Sequence, residues 1–80
     1  MIFGSNYDDE LLEKEAKNAL EEKPTLRGLP NINVTSDNGV VSIFGSVRSE
    51  DLKKDIKQVI ENKYTNNNID YKEIKNDLSI

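Results

Sequence analysis

The stretch Asp37–Val47, DNGVVSIFGSV, sets two glycines six residues apart around a run of apolar β-formers. Asn38-Gly39 is the strongest turn signal in the chain. A two-residue hairpin turn requires positive φ at its central positions, and Asn and Gly reach that region at the lowest cost. The residues that follow read as a strand. Val41, Ile43 and Val47 share one face, Gly45 completes it, and Val40, Ser42, Phe44 and Ser46 form the other. A glycine inside so apolar a strand predicts either a close helix approach or a bulge at Gly45. Gly39 reads differently, as a position needed for its backbone alone. On that reading Gly39→Ala costs on the order of 1 kcal/mol and Gly39→Asn less, because Asn tolerates the left-handed region.

On the N-terminal side, NINVTS (31–36) alternates, with Ile32 and Val34 inward and Asn33 and Thr35 outward, as a half-buried strand does. Before it, PTLRGLP (24–30) is a loop by its prolines and glycine. Leu12, Ala16, Ala19 and Leu20 recur at helical spacing. Ser5 or Asn6 is the expected N-cap of that helix, and Asp8, Asp9 and Glu10 suit its positive end. Pro24 ends it near Glu22 or Lys23. The two alanines leave room for a close contact with the sheet.

On the C-terminal side, Ser49 is an N-cap with Glu50 and Asp51 in the first turn. The helix it opens buries Leu52, Ile56, Val59 and Ile60. Its apolar positions repeat those of the first helix at an offset of 40 residues, as expected of two helices lying on one sheet face. YTNNNID (64–70) reads as a polar turn. YKEIKNDLSI (71–80) alternates through Ile74, Leu78 and Ile80, with Asn76 on the apolar side.

The order is α-β-β-α-β. Its last three elements form a right-handed crossover, which makes the third strand parallel to the second. The predicted fold is α+β: a three-stranded mixed sheet, the Val40–Val47 strand central, two helices packed on one face. Residues 1–6 read as an N-terminal tail and 7–80 as a single domain.

Composition narrows the function. The 80 residues include no cysteine and no histidine, so disulfides, thiolate metal sites and the usual general base are excluded. The remaining carboxylates, lysines, serines and tyrosines show no catalytic spacing. The chain is therefore read as not an enzyme, with no cofactor and no metal. Fifteen acidic against eleven basic residues give a net charge of −4. That balance disfavours phosphate-backbone binding, and with no GxxG clamp and one clear aromatic on the sheet face, nucleic acid is not an expected partner. No basic region precedes an apolar stretch at the start, so the chain as given reads as cytoplasmic. Processing that created a new Met1 would instead fit the envelope or periplasm.

The pattern of a polar residue, Gly, Val, alternating apolar residues, then Gly, one residue and Val resembles the signature of the BON domain. BON domains are small bacterial modules associated with osmotic stress and the cell envelope. Gly39, Val41, Ile43, Gly45 and Val47 occupy the motif positions. The flanking DDELLEKEAKNALEEKPTL resembles the family's first helix and loop, and YKEIKNDLSI its closing strand, with Asn76 at the family's asparagine. The resemblance covers about residues 7 to 80. It implies a non-catalytic binding module, contacting phospholipid membrane surfaces or envelope and stress-related protein partners. The alternatives it leaves open are a self-association module forming homo-oligomers and a domain responsive to monovalent cations.

Two surfaces are candidates for that contact. Lys53, Lys54 and Lys57 lie on one flank of the second helix, where they either meet headgroup phosphates or form a solvated face with Glu61 among them. Val40 and Phe44 point away from the helices. They form a self-association or partner surface, or are covered by Ile2 and Phe3 or simply exposed. The Asp37-Asn38-Gly39 turn offers oxygen atoms to a cation but lacks the carboxylate spacing of a calcium loop.

Overall fold

The computed structural model describes residues 7–26 and 32–80. The expected caps Ser5 and Asn6, and Ile2 and Phe3 as a cover for Phe44, lie outside the described residues. The elements are α1 (Asp9–Glu22), β1 (Ile32–Asp37), β2 (Val40–Ser46), α2 (Glu50–Asn66) and β3 (Glu73–Ser79). β2 is central, antiparallel to β1 and parallel to β3. The sequence order, the mixed sheet and the central strand are as expected.

Local chemistry sets the element ends. Asp8 is the N-cap of α1, its carboxylate accepting from the Leu11 amide at 3.1 Å. An acidic residue read only as a partner of the helix dipole thus also does the capping. α1 stops at Glu22, before Pro24. Ser49 caps α2 through the Leu52 amide at 3.3 Å. The hairpin turn has φ +52° at Asn38 and +84° at Gly39, the primed geometry that lets two twisted strands meet.

α2 departs from expectation at its end. It runs through Tyr64 and Thr65 to Asn66, where a polar turn is predicted. Backbone geometry just beyond Asn66 closes the helix. Asn68 takes φ +54°, its amide donates to the Thr65 carbonyl, and the Ile69 amide donates to the Tyr64 carbonyl at 2.9 Å. This is a Schellman closure with Asn where Gly is usual. Ile69 packs back on the core, the apolar contact that accompanies such a closure.

One hydrophobic cluster takes in residues from all five elements. Both helices lie on the face formed by Val34, Val41, Ile43, Val47, Ile74 and Leu78, all buried. Ala16 and Ala19 are buried as expected, whereas Leu20, Leu52 and Val59 are only half-buried at the edge of the cluster. Leu26, in the predicted loop, is buried. Tyr64 is fully buried; its hydroxyl donates to the Leu12 carbonyl at 2.6 Å, and its ring tilts against Tyr71 with centroids 5.2 Å apart. Burial pushes the Tyr64 phenol well above its ordinary range, so it stays a neutral donor.

Gly45 occupies the inner face, but the ladder passes through it without a skipped partner, opposite Ile32 and Leu78. No bulge forms there. Its φ of +138° is a conformation that side chains rarely adopt, which is the reason for glycine that the structure shows. Asn76, paired with Ile43 in the register, turns its side chain to α2. Its Nδ2 donates to the Lys53 carbonyl at 2.9 Å and ties the first turn of α2 to β3.

Candidate functional site

The two helices take up one face of the sheet and leave the other open. On the open face the register lines up three cross-strand rows: Asp37–Val40–Glu73, Thr35–Ser42–Lys75 and Asn33–Phe44–Asp77. Phe44 is 40% exposed in the middle of its row, between an amide and a carboxylate. Val40 is half-buried. Lys72 joins this face at the hairpin end, where its amide donates to the Gly39 carbonyl at 2.8 Å.

Lys53, Lys54 and Lys57 sit on α2, away from the open face. Lys53 and Lys57 are half-buried and Lys54 is exposed. Glu50 lies one helical turn before Lys53 and Lys54, and Glu61 one turn after Lys57, so carboxylates interleave with the ammonium groups. The structure therefore does not bring the lysine flank together with Val40 and Phe44. They stand on opposite sides of the fold, and a flat surface can meet only one of them.

The motif residues hold the frame. Val41, Ile43 and Val47 are core, Gly45 is conformational and Asn76 is a tether. Gly39 has a second role that the turn chemistry does not reveal. A Cβ added to it would lie 2.5 Å from Cγ of the Tyr7 ring. The missing side chain makes room for an aromatic lid over the turn.

The turn is also held by α1. The Asp9 carboxylate accepts from the Ser36 hydroxyl at 2.7 Å, the Asn38 amide at 2.8 Å and the Gly39 amide at 2.9 Å. Glu13 accepts from the Ser36 amide at 3.0 Å, which satisfies an outward-facing donor on the edge strand β1. The turn amides are thus used internally, and among the described residues no group of three or more acidic, histidine or cysteine side chains is placed to hold a metal. The sequence signal for this latch is weak, since an acidic first turn is already explained by the helix dipole.

The Gly39 amide, the Ser36 hydroxyl and the Asn38 amide together hold the Asp9 carboxyl below its ordinary value of 3.8. A depressed folded-state pKa stabilises the fold above the unfolded-state value, and that contribution is lost as pH falls through the folded one. Asp9→Asn should therefore lower stability at neutral pH and flatten its decline in the acid range below 3.8. Urea melts across that range check it. A parallel decline in both proteins would mean that the latch does not depend on the charge.

The family model described as BON domain matches residues 8–78, nearly the whole chain. The chain belongs to the BON domain family. No curated protein and no solved structure matches it. BON domains are non-catalytic binding modules whose partners are phospholipid membranes or proteins. In this BON domain, the open sheet face is a surface not used for packing α1 and α2, and the residues overlooked there by sequence are Thr35, Ser42, Lys72 and Lys75. Their signal is the parity of each strand combined with the register from the Asn38-Gly39 turn.

Proposed function

We propose that this BON domain docks on phospholipid surfaces through the open face of its sheet. The observation that carries this is the exposure of Phe44 on a face that the helices leave uncovered, with Lys72 and Lys75 on the same side. An aromatic ring enters the boundary between headgroup and acyl chain, and lysines beside it reach the phosphates. The α2 flank suits this role less, because among the described residues it carries no exposed large apolar side chain beside its lysines. No described helix is long and apolar enough to cross a membrane, so docking is at the surface.

Co-sedimentation with phospholipid vesicles tests the proposal, with sedimentation equilibrium of the free protein run beside it. Wild type should pellet with vesicles, and Phe44→Ser should reduce pelleting by about tenfold, in line with a buried aromatic contact of ~1.5 kcal/mol or more. The triple variant Lys53→Gln, Lys54→Gln, Lys57→Gln should pellet like wild type. Loss of pelleting in the triple variant, with Phe44→Ser unaffected, would move the contact to α2. A dimer that Phe44→Ser abolishes, with no vesicle binding, would replace the lipid reading by self-association through Val40 and Phe44.

A further inference from the structure

At the hairpin end of the open face lies a depression of about 450 Å³, lined in part by Thr35, Asp37, Ser42, Lys72 and Lys75. Its floor is a single cross-strand row. The Thr35 and Ser42 hydroxyls and the Lys75 ammonium stem stand on neighbouring strands, at spacings of about 4.8 Å. Lys72 closes one side, its backbone amide donating to the Gly39 carbonyl. Asp37 stands at the far corner, on β1, two strand spacings or roughly 9.6 Å from the β3 side. No ion pair joins Lys72, Lys75 or Asp37 to another described residue. Two ammonium groups, two hydroxyls and one carboxylate thus border one concavity, with Glu73 and Asp77 to either side of Lys75 on the same face of β3.

We propose that this depression binds a zwitterion of the phosphoethanolamine class, its phosphate on Lys72, Lys75 and the hydroxyls of Thr35 and Ser42, its ammonium on Asp37. As a lipid headgroup site, this rests on the membrane-docking reading above. Phosphate oxygens accept several charge-assisted hydrogen bonds at once, which the two lysines and two hydroxyls supply. An ammonium group a few bonds away donates to the opposing carboxylate. The whole-molecule charge supports the choice. A chain of net charge −4 repels a simple anion at long range, but not a phosphodiester headgroup whose single negative charge its own ammonium cancels.

The test is a titration of ¹⁵N-labelled protein, followed by amide shifts, with phosphoethanolamine, inorganic phosphate and ethanolamine at constant ionic strength. Phosphoethanolamine should shift the amides of Thr35, Ser42 and Lys75 and bind at least about tenfold more tightly than inorganic phosphate, the effect of one added charge-assisted bond. Lys75→Gln should weaken it about tenfold. Asp37→Asn should bring its affinity down to that of inorganic phosphate, leaving the latter unchanged or improved. Both side chains are exposed, so urea melts of the two variants should match wild type. Shifts confined to α2, or equal affinities for phosphoethanolamine and inorganic phosphate in wild type, would overturn the proposal.

Phosphatidylcholine vesicles with and without phosphatidylethanolamine separate the lipid source from the free ester. Headgroup binding without vesicle binding would sink the membrane-docking reading and leave a soluble phosphate ester as the ligand. Vesicle binding through Phe44 without any shift by phosphoethanolamine would sink this site alone.

Discussion

Tyr64→Ala should leave the domain without a cooperative unfolding transition at room temperature. The side chain is fully buried, it is among the largest in the core, and it touches both α1, through the Leu12 carbonyl, and the segment before β3, through Tyr71. Removing a buried aromatic costs about 3–5 kcal/mol, the lost transfer energy plus the cavity left behind. A single core of this size supplies only about 3–5 kcal/mol of net stability. The two quantities are equal within their spread, so the folded state loses its margin. Tyr64→Phe separates packing from the hydroxyl. It keeps the ring and removes one hydrogen bond, a loss of about 1 kcal/mol. The Leu12 carbonyl keeps the helical partner that its position in α1 provides. Urea melts and amide spectra of the two variants check the difference. A Tyr64→Ala protein with a normal melt would show that α2 does not carry its last two turns into the core.

The second large effect is at Gly39. Gly39→Ala meets two obstacles. Its φ of +84° costs an L-residue roughly 1–2 kcal/mol, and its Cβ would stand 2.5 Å from the Tyr7 ring, a further overpacking of about 1–3 kcal/mol. Turn chemistry alone makes Gly39→Asn the mild substitution. The structure removes most of that advantage, because the Asn Cβ meets the same ring. Gly39→Ala should lose about 2–5 kcal/mol, and Gly39→Asn about 1–3 kcal/mol or more from the overpacking it shares. The decisive measurement is a double-mutant cycle with Tyr7→Ala, which opens the space over the turn. There Gly39→Asn should recover 1 kcal/mol or more relative to its cost in wild type, within the range of contacting pairs. Additive losses in the cycle would mean that Tyr7 does not constrain Gly39.

These two cases show what was legible in the residues. The hairpin, both helices, the strand order and the BON resemblance all come from local signals. Asn38-Gly39 sets a turn, parity sorts each strand into two faces, and Ser49 and Pro24 punctuate helices. Each of these acts within a few residues of itself. The end of α2 was also written locally. Leu52, Ile56, Ile60 and Tyr64 follow at four-residue steps, but the asparagines after Tyr64 read as a turn, and polar composition outweighed the spacing. The candidate surfaces were half legible. Val40 and Phe44 fall on the outer face by parity alone, whereas the Thr35–Ser42–Lys75 row needs the register of three strands at once.

The sequence by itself determined the α+β order, the central strand, the family and the absence of histidine and cysteine chemistry. Periodicity, turn residues and composition are properties of neighbours along the chain. Only the tertiary structure decided which acidic side chain of α1 holds the hairpin, why Gly39 lies beneath Tyr7, and that the α2 lysines and Phe44 stand on opposite sides. Those are contacts across 23 to 32 positions, such as Glu13 with Ser36, Asp9 with Gly39, and Tyr7 with Gly39. Their partners are chosen by how the helices cross the sheet, a geometry that no local pattern encodes.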